Sequence, residues 1–410
     1  MLNLSPLIFS GPALPDFYVQ YELERALKSV LPAKKATQSD WRKLSKSLRQ
    51  PLSESSGAVR VRNVFLAPLT RAMGYGDLSA ADPVRTREGD ETGGILCRAG
   101  EDELRCWAWA YNIDLDAPVE QGLTSRYTPQ RIAERVLLEK KEAVGLLTNG
   151  VELRLIISEA ARAASTIAIS LSDFKACAPK DPPDAFRLLL ALASPAGVAK
   201  LPGILNDARL KQGKVTKDLR AQARAAVEGF AQGLLDHPDN QAEFDAFLQG
   251  ETSGLETRNA ELANLLWREA LVIVYRLLFI LSGEAGTRSR PPFSFASTSL
   301  WRHTYSPSAA LGPIAQKVAE DGAQTGNFLA AGLRSLFRLF EQGIKSAELT
   351  IAPLGGALFG EEAAAFVDSL SWSERSCALL LDNLLRAPRG KGKARRLLRL
   401  SYRDMDVEGV

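Results

Sequence analysis

Histidine is scarce in this chain of 410 residues: it occurs twice, as His237 and His303. Two histidines cannot build a His-rich metal site, and they argue against a Ser-His triad. Cysteine is nearly as rare. Cys97, Cys106, Cys177 and Cys377 show no C-x-x-C spacing, so neither a disulfide framework nor a zinc site is expected, and the natural reading is reduced cytoplasmic thiols. An excess of one charge is also missing. Lys and Arg number 51 against 48 Asp and Glu, a formal net charge of +3, so only local clustering can argue for nucleic acid. The first ten residues carry no basic n-region, which argues against a signal peptide. The most apolar run, LLWREALVIVYRLLFIL at 265–281, contains Arg268, Glu269 and Arg276. Each is costly at bilayer depth, so the run reads as a buried core helix and no membrane is expected as a partner.

What is present is an ordinary globular mixture, 46% hydrophobic and 24% charged, long enough for two or three domains. Residues 15–48 read as helical, with Asp16 as a candidate cap. Between 60 and 175, short apolar runs alternate with Gly, Asp and Pro. VRNVFLAPL, GGILCRA, ELRCWAWAYNIDL, AVGLLTNG and VELRLIIS read as strands separated by turns. A helix from Pro129 to Lys141 interrupts them, with Thr128 as cap and Pro129 in its first position. From about residue 183 the apolar spacing is helical throughout, and Ser282 to Pro307 is the best internal loop. The expectation is an α+β chain. Residues 1–48 form an N-terminal helical segment, 49–178 a mixed α/β domain, 179–386 a mainly α-helical domain and 387–410 a basic tail.

Short motifs narrow the chemistry further. LLTNG at 146–150, followed by VELRLI, reads as a hairpin, with Asn149 and Gly150 both suited to positive φ in a tight turn. DPPD at 181–184 lacks the aromatic ring that an adenine methyltransferase needs to stack a flipped base. GYGD at 74–77 is too short to mark a cofactor loop. Arg386, Arg389, Lys391, Lys393, Arg395, Arg396 and Arg399 fall within fourteen residues. Of these, Arg389, Lys391, Lys393, Arg395, Arg396 and Arg399 are the candidate contacts to a phosphate backbone; a solvated linker is the alternative.

Five pieces in order resemble one family. LLTNG with its following strand resembles the strand–turn–strand of restriction-enzyme nuclease domains. DLDAP at 114–118 resembles the segment after the last catalytic strand of such a domain. YRLLFIL at 275–281 and GGALFG at 355–360 resemble parts of the helical region that follows. SYRDMDV at 401–407 resembles the run that leads into a methyltransferase domain. The chain thus resembles the N-terminal portion of type IIG restriction–modification enzymes and of DISARM-type adenine-specific DNA methyltransferases. The resemblance implies a restriction-endonuclease-like fold for 49–178 and a helical connector after it. It implies one piece of a split system, a truncated product or a free-standing relative.

A nuclease of the PD-(D/E)xK class needs an Asp, then Glu-x-Lys on a neighbouring strand, to hold a divalent ion and orient water. The resemblance puts Glu-x-Lys just before DLD. Counting back from Asp114 puts those positions at Trp107 and Trp109, neither of which ligates magnesium or carries charge. The expected site is therefore degenerate, with no metal and no cofactor in this chain. Magnesium and S-adenosylmethionine would belong to a partner or to full-length relatives. Two roles remain open for the tryptophans, core packing and a stacking surface. Three functional readings follow. The first is a non-catalytic DNA-binding or scaffolding component of a phage-defence methylation system, its partners duplex DNA and an adenine DNA methyltransferase or other defence subunit. The second is a divergent endonuclease using Asp90, Glu91 or Glu103. The third is an assembly factor that never touches DNA.

Overall fold

A computed structural model describes residues 2–4, 6–76, 78–119, 127–249, 255–285, 292–322, 325–389, 396–400 and 402. The chain is a mixed α+β protein with two compact units, the first ending at Gln212 and the second starting at Gly213.

The first unit is built on nine strands: β1 (Leu7–Ser10), β2 (Leu78–Ala80), β3 (Val84–Thr86), β4 (Gly89–Glu91), β5 (Ile95–Ala99), β6 (Asp102–Ala108), β7 (Val144–Thr148), β8 (Glu152–Ile157) and β9 (Ser165–Ser170). Seven of them form one sheet in the order β1-β9-β8-β7-β6-β5-β2, and β3 pairs only with β4. Every pairing in the sheet is antiparallel except β6 with β7. A parallel pair needs a crossover, and the helix Pro129–Lys140 supplies it. That helix starts as the sequence indicates: the Thr128 hydroxyl accepts from the Arg131 amide, with Pro129 in the first turn.

Side chains alternate along each strand, and here both faces are covered. Leu104 and Cys106 of β6, Leu146 of β7 and Leu155 of β8 enter a core that includes Trp41 and Phe186. Trp107, Leu147 and Ile156 enter a second core against Ile132, Val136 and Leu137 of the crossover helix. Trp41, from the helix Lys34–Leu48, meets Phe174 and Phe186 at 5.5 and 5.2 Å and donates to the Ala178 carbonyl at 2.9 Å.

Several sequence expectations are revised. The segment 1–48 is not only helical: β1 closes one edge of the sheet against β9. Its first helices are short, Asp16–Tyr21 and Leu23–Ala26, and Pro15 rather than Asp16 occupies the cap position. VRNVFLAPL is helical, not a strand. It lies within Ala58–Val61, Arg62–Leu66 and Ala67–Ala72, because Val61, Phe65 and Leu69 recur at four-residue spacing and are all fully buried. The first unit also runs past residue 178. Phe186, Leu189, Leu201 and Leu205 complete the same core as the sheet.

The second unit is mostly helical, with helices Leu255–Ala285, Gly312–Asp321, Phe328–Gln342 and Glu374–Leu385. The first of these extends into the loop expected from Ser282, and Trp301–Tyr305 forms a further helical turn there. Phe340 is the hub of the aromatic core, with Phe293, Trp301 and Phe359 at 5.8, 6.1 and 5.4 Å. The basic tail begins as structure rather than as a loop: Arg386–Arg389 and Arg396–Arg399 pair as an antiparallel hairpin. Of SYRDMDV, all but Tyr402 lies outside the described residues. Tyr402 is buried and donates to the Leu384 carbonyl at 2.7 Å. Among the described residues no single helix is long and apolar enough to cross a membrane.

Burial ranks the thiols. Cys97, Cys106 and Cys377 are fully buried, and Cys177 is partly exposed. Burial pushes the Cys377 thiol up to about 12. Burial, with Asp173 and Asp181 adding to it, also raises Cys177. A thiol reagent should therefore modify one cysteine in the native protein and all four after denaturation, and the native reaction should speed up as pH rises. Fast native modification of a second thiol would contradict this packing.

Candidate functional site

The strand β6 sends Arg105 and Trp107 to the face covered by the crossover helix, and Trp109 follows in the same alternation. Trp107 is 3% exposed and its indole N–H donates to the Thr92 carbonyl at 3.2 Å. Two glycines make room for it. A Cβ at Gly94, which has φ +73°, would stand 2.8 Å from the indole nitrogen, and one at Gly145 would stand 3.1 Å from its ring. Trp109 is 8% exposed, and its N–H is buried without a partner among the described residues. The two positions that the resemblance assigns to Glu-x-Lys are thus filled by packed indoles. A hydrated magnesium ion needs oxygen ligands and retained waters, and these residues do not fit one.

The polar residues on this face bond to one another. Arg105 makes a two-pronged contact with Glu142 at 2.8 and 2.7 Å and donates to the Gly93 carbonyl at 2.6 Å. Arg154, from β8, is 3% exposed and grips both oxygens of Asp116 at 2.7 Å, with Glu152 at 2.5 Å. Burial opposes the Arg154 charge, and the contacts to Asp116 and Glu152 outweigh it, so the guanidinium is held more basic than usual.

These bonds join two motifs that are far apart in sequence. Asp116 lies in DLDAP and Arg154 in VELRLI. A second link comes from Asn149, whose amide donates to the Ile113 carbonyl at 2.8 Å. The Asn149 side-chain oxygen accepts from the Val151 and Glu152 amides, each at 2.9 Å. The turn therefore differs from the expected tight pair. Thr148 aligns with Leu153, which leaves four residues between them, and only Gly150 has positive φ. Asn149 bonds the turn through its side chain instead.

The acids named as weak catalytic candidates do not converge. Asp90 is exposed and pairs with Arg85 at 3.3 Å. Glu91 is buried and pairs with Arg135 at 3.4 Å. Burial pushes its carboxyl up, Arg135 pulls it back and Glu88 adds to the rise. Glu103 pairs with Arg98 at 2.7 Å and sits four residues before Trp107 on one strand, about 13 Å away at strand rise. Among the described residues no three His, Cys, Asp or Glu groups stand close enough to hold a metal ion. Arg135 fastens the β3–β4 hairpin to the crossover helix through Glu88, Glu91 and Thr86, and lies 4.3 Å over the Tyr127 ring.

The basic candidates lie elsewhere. Lys391, Lys393 and Arg395 fall outside the described residues; for Arg389, Arg396 and Arg399 the strand backbone alone is described. DPPD opens a helix, with Asp184 accepting from the Asn3 amide at 2.9 Å and from Arg187 at 2.7 Å. Sequence reading missed the separate ion pairs of Arg105 with Glu142, Arg135 with Glu91 and Arg154 with Asp116. The signal for two of them was available: a charged residue within an otherwise apolar strand must find a buried partner. No family model, curated protein or solved structure matches the chain.

Two stability tests follow. Trp107→Phe loses a bonded N–H and Trp109→Phe loses an unbonded one, so the first should cost about 1 kcal/mol more in urea unfolding. Equal losses would contradict the bonding described. Asp116→Ala should destabilise by about 1–3 kcal/mol, because it strands a buried guanidinium with one remaining acid, whereas Arg154→Met should cost less. The reverse order would mean that the pair does not fasten the two motifs.

Proposed function

We propose that this chain is a non-catalytic DNA-binding or scaffolding component of a phage-defence adenine DNA methylation system. In this reading the first unit is a restriction-endonuclease-like fold without its site, and the helical unit positions DNA or a partner subunit. The observation that carries it is the pair of buried tryptophans where a nuclease would hold its acid and lysine. Two further features support it. The strands β5 and β6 are sheet neighbours, as an Asp and a Glu-x-Lys on adjoining strands require. DLDAP and the LLTNG hairpin are bonded together. The S-adenosylmethionine and the chemistry would come from a partner methyltransferase. Fold likeness alone does not give function, so the reading rests on the state of this site.

The rival reading, a displaced metal-dependent nuclease, needs Asp90, Glu91 or Glu103 gathered beside a lysine. Each is instead paired with a different arginine. The deciding experiment is duplex DNA binding at two salt concentrations, with and without magnesium, scoring both shift and cleavage. Binding that weakens with salt, with no cleavage, is expected. Neutralising Lys391, Lys393, Arg395 and Arg396 together should weaken it and flatten its salt slope. Magnesium-dependent cutting abolished by Asp90→Asn or Glu91→Gln would make the chain an enzyme. Absence of binding at low salt would favour an assembly role.

A further inference from the structure

The second unit holds a cavity of about 360 Å³ between the helices Leu255–Ala285 and Phe328–Gln342 and the segment around Phe359 and Asp368. Three guanidinium groups line it: Arg276, Arg334 and Arg338. Three carboxylates, Glu341, Glu361 and Asp368, line it too, so what sets the arginines apart is how their donors are used rather than an excess of charge. Arg276 is 4% exposed. It donates to the Leu358 carbonyl at 2.7 Å and to the Asp368 carboxylate at 3.0 Å, which leaves its second terminal nitrogen without a protein acceptor among the described residues. Arg334 is bonded to two backbone carbonyls, those of Asp368 and Leu370, both at 2.5 Å. Its guanidinium lies 4.2 Å over the Trp372 ring. Carbonyls and a ring face fix its position without neutralising it. Burial makes its charged form harder to hold, Asp368 opposes that in part, and Arg338 adds to it.

Arg338 stands one helical turn beyond Arg334, a spacing at which like charges repel. It is exposed, and among the described residues it makes no ion pair. Two more acids, Glu341 and Glu361, also line the cavity, yet neither forms an ion pair with the arginines among the described residues. Asp368 is thus the one carboxylate in contact with this cationic set among the described residues. Phe337 and Phe359 close the walls and lie 5.4 and 6.0 Å from the Arg276 guanidinium. They lower the local polarity and so strengthen any charge-assisted bond made inside.

We propose that this cavity binds a phosphate group, held by the open donors of Arg276, Arg334 and Arg338. Planar guanidinium forks match phosphate oxygens in pairs. The site is independent of the function proposed above. The phosphate could be a free small-molecule group or one from a nucleic-acid backbone, and the same experiment separates the two.

The test is titration of inorganic phosphate into the full chain by calorimetry, at low salt in a phosphate-free buffer, with chloride at matched ionic strength as control. Wild type should bind phosphate over chloride. Arg338→Glu, a change at an exposed and unpaired position, should weaken binding by about tenfold or more, and Glu341→Gln should tighten it. No phosphate binding by wild type, or binding that Arg338→Glu leaves unchanged, overturns the proposal. A short DNA duplex is then added as competitor. Displacement of phosphate supports the site with a backbone phosphate as its source; failure to displace supports it with a free phosphate compound. Neutralising the basic tail should leave the phosphate titration unchanged, so loss of DNA binding through the tail is read separately.

Discussion

Double burial of one strand governs the first unit. A strand with one wet face can carry acids and lysines toward solvent, where waters complete a metal's coordination. The residues Leu104 to Trp107 of β6 are all buried, with one core on each side. Every side chain there must either be apolar or bring its own partner. Arg105 brings Glu142, and Trp107 brings the Thr92 carbonyl. Gly94 and Gly145 are part of the same solution, since a side chain at either would collide with the indole. A carboxylate at Trp107 would inherit an apolar site shared with Leu137, Leu147 and glycine backbone. At these positions the volume beside the strand is filled by the indoles and the core around them.

Buried arginine is the recurring fastener. Arg105, Arg135 and Arg154 each tie together two pieces of chain that are separate in sequence. Each does so through carboxylates, and Arg105 and Arg154 add the two-pronged geometry that guanidinium favours. Such pairs contribute modest net stability, because desolvation offsets much of the attraction. What they supply is register: Arg154 can reach Asp116 only if the loop after β6 crosses the end of β8 in one arrangement. The contrast lies in the second unit. Arg334 is held by carbonyls and a ring, which fixes it in place and leaves its charge available.

The main division of the chain is legible in the sequence for a simple reason. Period-two runs such as VELRLII and helical runs such as FLAAGLRSLFRLFEQ differ over many residues, so local noise averages out. The crossover helix is readable to its cap because Thr128 and Pro129 act locally. VRNVFLAPL misleads because valine and phenylalanine favour strands, while its burial repeats every fourth residue. The boundary near 178 misleads for a different reason: the helices after it look like a helical domain, yet their apolar faces complete the core of the sheet. No local pattern carries that information. An arginine in an apolar strand signals that a partner exists, but which acid it meets is not legible, since Glu142 and Asp116 reach Arg105 and Arg154 only through the sheet order.

The same geometry constrains how this chain would meet DNA. Base-specific readout needs side chains that reach groove edges, held by a rigid scaffold. On the crossover-helix face of the sheet the buried cations are already spent on internal carboxylates. The other clustered basic residues belong to the 386–399 run, where Arg386 is itself paired with Asp382 and Glu320. Arginines and lysines of that kind meet phosphates, which fix position and carry no sequence information. In the proposed reading, such a chain would meet nucleic acid through its charge and leave the choice of sequence to whatever it binds beside.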